Sequence, residues 1–125
     1  MPDSNNFLVC VIDDDPVVRS ATNSLVRSLG WEARDFASAH EFLASGVVQK
    51  SNCLVCDVQM PVMDGLELLE QLEKDDIHIP MILMTGYASS HIRQRIHNSS
   101  ALCLLEKPID ASDLEAWIDE ALQIR

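Results

Sequence analysis

Hydrophobic residues occur along the chain in short unbroken runs, which alternate with stretches where apolar residues recur every three or four positions. Unbroken apolar runs are typical of strands buried on both faces, and the wider spacing is typical of helices with one buried face. Strands are predicted at residues 8–12, 31–36, 53–56, 81–84 and 102–105. Because each strand is followed by a helical pattern, the sequence predicts an α/β domain with a mostly parallel sheet and helices on both faces.

Capping residues mark where the helices are predicted to begin. Asp15 followed by Pro16 begins the first helix, since Asp caps exposed N–H groups and Pro lacks the N–H that would go unpaired there. The apolar face of this helix is predicted to contain Val18, Ala21, Leu25 and Leu29. The later helices are predicted to begin near Ser38, Asp64, Ser90 and Asp110. The helix at 90–99 has an apolar stripe of little more than two isoleucines, so its stability should be modest.

Composition limits the class of protein. The 125 residues are 47% hydrophobic and 23% charged, which favours one globular domain, predicted over residues 7–125 after a disordered stretch at 1–6. No apolar run approaches the roughly 20 residues of a membrane span, and no signal peptide is evident, so we expect a cytoplasmic protein without membrane contact. The formal net charge of −11 would repel a phosphate backbone, so no direct nucleic acid contact is expected.

The candidate chemistry lies where the predicted strands end. The run Asp13-Asp14-Asp15 follows the first strand, Asp57 ends the third, Thr85 ends the fourth, and Lys107 follows the fifth. In an open parallel sheet these ends meet at one edge, where ligands bind. Crowded carboxylates repel unless a cation lies among them, and Mg²⁺ prefers oxygen ligands and phosphate. The pattern therefore predicts a site that places phosphate on a carboxylate.

Four motifs in this order resemble a known family. They are Val-Ile-Asp-Asp-Asp-Pro at 11–16, Asp-Val-Gln-Met-Pro-Val-Met-Asp-Gly at 57–65, Met-Thr-Gly at 84–86 and Glu-Lys-Pro at 106–108. Together they resemble the receiver domain of two-component response regulators, and most of all the FixJ-type receivers that precede a LuxR-type DNA-binding domain. The resemblance implies a flavodoxin-like (CheY-like), doubly wound sheet of five parallel strands in the order 2-1-3-4-5, with five helices.

The resemblance also implies roles for particular residues. Asp57 matches the phosphoacceptor, which takes a phosphoryl group from a sensor histidine kinase. Asp13 and Asp14 match the acidic pair that, with Asp57 and the backbone carbonyl of Gln59, holds Mg²⁺, with Mn²⁺ as an alternative ion. The chain is then expected to be a phosphorelay switch rather than a turnover enzyme, and its output is expected to be transcription through a LuxR-type domain outside these residues.

Two further positions match the switching apparatus of the family, and one departs from it. Thr85 matches the hydroxyl that moves to the phosphoryl group, and Lys107 matches its ammonium partner, with a cis bond expected at Lys107–Pro108. Leu104 stands where family members commonly carry Tyr or Phe. Output is therefore expected to pass through helix 4, strand 5 and helix 5 by ordering of helix 4, and this surface is also where a phosphorylated homodimer is expected.

Three alternatives stay open on the sequence alone. A receiver without the aromatic residue could act as a scaffold that binds proteins independently of phosphorylation. The spacing Asp13-x-Asp15 also resembles the nucleophile motif of haloacid-dehalogenase-type phosphatases. Cys53 and Cys56 have the spacing of a redox or metal pair. Within one strand, however, their odd separation places them on opposite faces, which favours two separate buried thiols.

Overall fold

The structure, a computed structural model, describes residues 7–124. The predicted disorder of residues 1–6 lies outside the described residues. The strands are β1 (Leu8–Ile12), β2 (Glu32–Phe36), β3 (Cys53–Asp57), β4 (Met81–Thr85) and β5 (Cys103–Glu106). The helices are α1 (Pro16–Ser28), α2 (Ala39–Leu43), α3 (Gly65–Lys74), α4 (Ser90–His97) and α5 (Ala111–Ile124), with a short 3₁₀ turn at Val48–Lys50.

The five strands form one parallel sheet in the order β2-β1-β3-β4-β5, which confirms the predicted topology. In the register of the sheet, Ile12 lies opposite Cys56, Asp57 opposite Met84, and Thr85 opposite Glu106. The carboxyl ends of β1, β3, β4 and β5 are therefore level with one another. This register places the residues that end these strands along one edge.

The sheet separates two apolar cores. Alternate residues of each strand point to opposite faces, so Cys10 and Ile12 lie in one core and Val9 and Val11 in the other. Side chains of α2, α3 and α4 cover the first core, and those of α1 and α5 cover the second. Every residue of β1, β3 and β4 is buried, which agrees with the unbroken apolar runs that make up β1 and all but the last residue of β3 and β4.

Helix α1 departs from the predicted apolar face. Ala21 is exposed, and the polar residues Thr22 and Asn23 are buried in its place, while the other three predicted residues are half-buried. Burial of these polar side chains is tolerated because each has a partner within the helix. The Thr22 hydroxyl donates to the Val18 carbonyl at 2.8 Å, and the Asn23 side-chain oxygen accepts from Arg27 Nε at 2.8 Å. The helix also buries Val26, so a search for apolar residues alone could miss only the polar part of this face.

The helices differ in how firmly the core holds them. Helix α5 buries Leu114, Ile118 and Ala121 in the second core. Helix α4 buries only Ile92 and Ile96, which confirms its narrow apolar stripe. Among the described residues, no helix combines the length and the apolar character needed to cross a membrane.

Candidate functional site

Backbone hydrogen bonds extend the strand ladders beyond their last residues and fix the site residues in place. The Asp13 N–H donates to the Phe36 carbonyl at 3.1 Å, and the Lys107 N–H donates to the Thr85 carbonyl at 2.8 Å. Asp57 is the last residue of β3 and Thr85 the last residue of β4. The structure therefore brings together the predicted site residues from four separate strands.

Three carboxylates form a cluster at this edge. Side-chain oxygens of Asp13, Asp14 and Asp57 lie within 4.8 Å of one another, with Asp13 and Asp57 buried and Asp14 exposed. Asp15 stands apart, because its side chain accepts from the N–H groups of Val17 and Val18 and so caps α1. Since a capping carboxylate is committed to the backbone, this placement counts against a phosphatase site built on Asp13 and Asp15.

Lys107 places its ammonium between two of these carboxylates. Its Nζ lies 3.0 Å from Asp13 Oδ2 and 3.1 Å from Asp57 Oδ2, and the bond to Pro108 is cis, as expected. Burial alone would lower the pKa of Lys107, but the carboxylates of Asp13 and Asp57 outweigh it and raise the pKa above its ordinary value. The side chain therefore stays a cation that faces the acidic cluster.

Asp57 has a partner for each carboxylate oxygen. Its Oδ1 accepts from the backbone N–H of Gln59 at 3.1 Å, and its Oδ2 accepts from Lys107. Burial raises the pKa of Asp57, and the neighbouring Asp13 charge adds to this rise, while the bonds from Lys107 and Gln59 oppose it. The net direction is upward, so the buried cluster holds this negative charge at a cost in stability.

The donor set fits a hard divalent cation. Asp13 is fully buried, and although Lys107 pairs with it electrostatically, no described group offers its Oδ2 an aligned hydrogen bond. A buried carboxylate paired with a single ammonium, beside two further carboxylates, is an environment that Mg²⁺ or Mn²⁺ stabilises. The structure shows the Gln59 N–H, rather than its carbonyl, in contact with Asp57, so the carbonyl ligand stays a prediction.

Thr85 is engaged with the loop that follows β4. The residue is fully buried, and its hydroxyl donates to the Tyr87 carbonyl at 3.0 Å and accepts from the Tyr87 N–H at 3.3 Å. The aromatic ring of Tyr87 itself is exposed. The hydroxyl thus links the edge of the sheet to the loop that leads into α4.

Two residues that support the site were missed by the sequence analysis. Arg19 on α1 donates from Nη1 to the Asp13 carbonyl at 2.9 Å, while its Nε lies 3.5 Å from Asp35. Gly65 begins α3 directly against the backbone of Asp57, where a Cβ would lie 2.6 Å from the carbonyl oxygen. The only sequence signals were a basic residue one turn into α1 and a glycine after the cap of α3.

The remaining candidates lie away from this edge. Cys53 and Cys56 fall in opposite cores and both are free thiols, so the expectation of two separate buried thiols is confirmed. Leu104, in the position where an aromatic residue is common, is half-buried and packs against the core formed by α2, α3 and α4. This residue fills space on β5 without offering a ring.

Comparison with known proteins identifies the family. The response regulator receiver domain family matches residues 9–119. The transcriptional regulatory protein FixJ of Azorhizobium caulinodans is 37% identical over 122 residues, which are 98% of this chain and 57% of FixJ. Nodulation protein W of Bradyrhizobium diazoefficiens is 35% identical over 111 residues, which are 89% of this chain and 49% of that protein.

A solved structure agrees in fold. The crystal structure of FixJ-N superposes with a TM-score of 0.85 at 29% identity, covering 98% of this chain and 96% of FixJ-N. The chain spans about half the length of the curated relatives it matches. Its motifs, strand order and relatives agree with the predicted FixJ-type resemblance, and the chain belongs to the response regulator receiver domain family.

Proposed function

We propose that this chain is a phosphorelay switch in which Asp57 accepts a phosphoryl group from a sensor histidine kinase. One observation carries the proposal. The Asp57 carboxylate lies at the carboxyl edge of the sheet, within 4.8 Å of the Asp13 and Asp14 carboxylates and 3.1 Å from the Lys107 ammonium. This arrangement supplies a nucleophile, a cation site and a positive charge for the transferred group.

The proposed transfer conserves the phosphoryl group. A carboxylate oxygen of Asp57 forms a bond to phosphorus as the bond from phosphorus to the kinase imidazole nitrogen breaks, and that electron pair returns to the imidazole. Hydrolysis later resets the switch. Water attacks phosphorus, the new bond between phosphorus and the Asp57 oxygen breaks, inorganic phosphate is released, and the carboxylate is restored. Each chain carries one group at a time, which is the behaviour of a switch rather than of a turnover enzyme.

Asp13, Asp14 and Asp57 are the residues that would hold Mg²⁺, or Mn²⁺ in its place, with the Gln59 carbonyl as a further ligand. When bound, the ion supplies positive charge that neutralises the phosphoryl oxygens. Lys107 would move from a carboxylate partner to a phosphoryl oxygen, because its Nζ already lies within 3.1 Å of Asp57 Oδ2. Thr85 would donate its hydroxyl proton to another phosphoryl oxygen.

The proposed output of the switch is based on a relative of this chain. FixJ is named a transcriptional regulatory protein and is longer than this chain. We propose that the same holds here, with a LuxR-type DNA-binding domain outside these residues and a cytoplasmic location for the whole protein. With a net charge of −11, the receiver itself would make no direct contact with nucleic acid.

A second copy of the chain is the proposed partner of the surface formed by α4, β5 and α5. Helix α4 carries His91, Arg93, Arg95 and His97 and no acidic residue. Helix α5 carries Asp113, Glu115, Asp119 and Glu120 and no Lys or Arg. Because these helices flank the edge strand β5, a symmetric pair would bring each α4 toward the acidic α5 of the other copy.

Intact-protein mass tests the proposed function. We expect incubation with acetyl phosphate to add one phosphoryl group, only with Mg²⁺ present and not in an Asp57→Asn variant. The same sample measured by light scattering tests whether the phosphorylated chain dimerises. Absence of any mass gain would instead favour a scaffold that works without phosphorylation, for which Leu104 on β5 is the supporting observation.

A further inference from the structure

One guanidinium group connects the loop after β4 to the end of β5. Arg93 on α4 donates from Nε to the Ala88 carbonyl at 3.3 Å and from Nη2 to Glu106 Oε1 at 2.7 Å. The planar, forked donors of Arg suit it to holding two acceptors at once. We call this set of contacts among Ala88, Arg93 and Glu106 the Arg93 clip.

The Arg93 clip adjoins both groups proposed to contact the phosphoryl group. Ala88 directly follows Tyr87, whose carbonyl accepts the Thr85 hydroxyl proton. Glu106 lies opposite Thr85 in the sheet register and directly precedes Lys107. The clip therefore fixes the loop that engages the switch hydroxyl to the strand that carries the ammonium.

The Thr85 hydroxyl cannot serve the loop and a phosphoryl group together. A hydroxyl has one proton to donate, and here the Tyr87 carbonyl accepts it. Donation to a phosphoryl oxygen requires that the carbonyl be released. A contact that holds the next residue of the loop in place opposes this release.

We infer that Arg93 is a positioning residue that holds the loop in the arrangement where Thr85 faces Tyr87, and so restrains the switch before phosphorylation. The inference rests on the proposed function. It supplies a route from the site to α4 that needs no aromatic residue on β5, where this chain has Leu104. It also connects α4, which buries Ile92 and Ile96, to the loop beside the site.

The solvent exposure of Arg93 and Glu106 limits how strongly the Arg93 clip can restrain the switch. The side chains of Arg93 and Glu106 are 58% and 55% exposed, so their ion pair is a weak surface contact. Loss of the clip is therefore expected to raise the apparent affinity for a phosphoryl group mimic by about two- to fivefold, because more of the protein then occupies the competent state.

Beryllofluoride, which mimics a phosphoryl group on a carboxylate, is the probe. Its affinity is measured by titration calorimetry with saturating Mg²⁺ for the wild type, Arg93→Gln and Glu106→Gln. Arg95→Gln is the matched control, since Arg95 lies on the same helix, carries the same charge and pairs with Asp64 instead. The Arg93 change is repeated in a Thr85→Ala background, where no hydroxyl is present to release.

Simple electrostatics predicts the opposite result for Arg93→Gln and the same result for Glu106→Gln. Loss of a positive charge should weaken binding of an anion and loss of a negative charge should strengthen it, so Arg93→Gln and Glu106→Gln would diverge. The clip predicts tighter binding in both variants, no gain in Arg95→Gln, and no gain from Arg93→Gln when Thr85 is Ala.

Three results would overturn the inference. They are unchanged or weaker binding by Arg93→Gln, an equal gain in Arg95→Gln, and a gain that persists without the Thr85 hydroxyl. Failure of the wild type to bind the probe and to gain a phosphoryl group would instead overturn the proposed function, and the inference with it. The two failures are therefore distinguishable.

Discussion

Gly65 and Asp57 are in backbone contact across the site: a Cβ on residue 65 would lie 2.6 Å from the Asp57 carbonyl oxygen and 2.9 Å from Leu83 Cδ2. The Gly65 N–H also donates to the Val58 carbonyl at 3.0 Å. Asp64 fixes the same point, because its side chain and that of Glu67 cap the start of α3 reciprocally. The first turn of α3 thus determines where the backbone of the proposed phosphoacceptor lies.

Substitution of Gly65 by Ala is expected to displace this backbone. A real Cβ does not approach a carbonyl oxygen this closely, and neither the strand nor the helix start can move freely, so the variant should lose about 1–3 kcal/mol of unfolding free energy. Urea denaturation measures the loss. Phosphoryl transfer from acetyl phosphate, measured by intact mass, should slow in the same variant because the Asp57 carboxylate moves with its backbone.

Gly86→Ala is the control for this experiment. Apart from residue 86 itself and its two chain neighbours, no atom lies within 4 Å of a Cβ built at Gly86, and the residue is exposed, so the added methyl has room. Its denaturation midpoint should stay within about 0.5 kcal/mol of the wild type. If Gly65→Ala and Gly86→Ala have the same unfolding free energy, the close contact between Gly65 and the Asp57 backbone does not destabilise Gly65→Ala, and the prediction is wrong.

Replacement of Asp57 by Asn is expected to stabilise the protein without metal. Burial raises the pKa of Asp57 above its ordinary 3.8, so the folded state keeps a proton there at pH values where the unfolded chain has lost it. The unfolding free energy therefore falls as pH rises through this raised pKa, and the penalty is complete above it. Asp57→Asn removes the penalty, and at pH 7 in EDTA we expect a gain of about 0.5–2 kcal/mol.

The pH dependence distinguishes this mechanism from a better-packed variant. The difference in unfolding free energy between Asp57→Asn and the wild type should decrease as pH falls toward 4, because Asp57 in the folded wild type then becomes neutral as well. Lys107 keeps Asp13 as a partner in the variant, so its own charge stays compensated. Urea denaturation of both proteins at several pH values measures this difference in unfolding free energy. A difference that stays constant from pH 4 to pH 7 would contradict the mechanism.

Mg²⁺ is expected to stabilise the folded wild type. An ion that binds only the folded state adds about 1.4 kcal/mol when its free concentration is ten times its Kd. Asp13→Asn should abolish most of this gain, since Asp13 is the fully buried carboxylate of the cluster and its removal leaves the proposed ion one charged ligand fewer. The melting temperatures of the wild type and Asp13→Asn are measured in MgCl₂ and in NaCl of equal ionic strength. If MgCl₂ stabilises both proteins equally, the effect is charge screening and not binding at the cluster.

The four cysteines are expected to react slowly in the folded state. Burial raises the pKa of Cys103 to about 12 and the pKa of Cys10, Cys53 and Cys56 above the ordinary thiol value, so little thiolate exists at pH 8. Alkylation by iodoacetamide, followed by intact mass, should be complete in urea and negligible in buffer within the same time. Half-buried Cys103 should react first, and rapid modification of Cys53 or Cys56 would contradict the fold.

The fold was predictable because its signals are local. Strand β1 is an unbroken apolar run and β4 is one as far as Met84, so the place of both strands in the interior of a parallel sheet was predictable from their own residues. The positions of Asp13, Asp57, Thr85 and Lys107 followed from the rule that parallel strands end at one edge. Their convergence required no knowledge of side-chain contacts.

What could not be predicted depends on contacts between distant residues. The burial of Thr22 and Asn23 on α1 rests on hydrogen bonds within the helix that polarity alone argues against. The contact of Gly65 with the Asp57 backbone and the bonds of Arg93 appear only when the helices are placed on the sheet. Apart from the place of Gly65 directly after the cap of α3, no periodic or compositional signal sets these residues apart.

The strand order has a consequence for how the protein can be divided. Asp13 follows β1, and Lys107 follows the edge strand β5, with β3 and β4 between them. A chain cut between α2 and β3 would leave Asp13 and Asp14 on one piece and Asp57 and Lys107 on the other, so neither piece alone would hold the complete cluster. Acceptance of a phosphoryl group by such a pair, when mixed, would report that the fragments had reassembled the whole sheet.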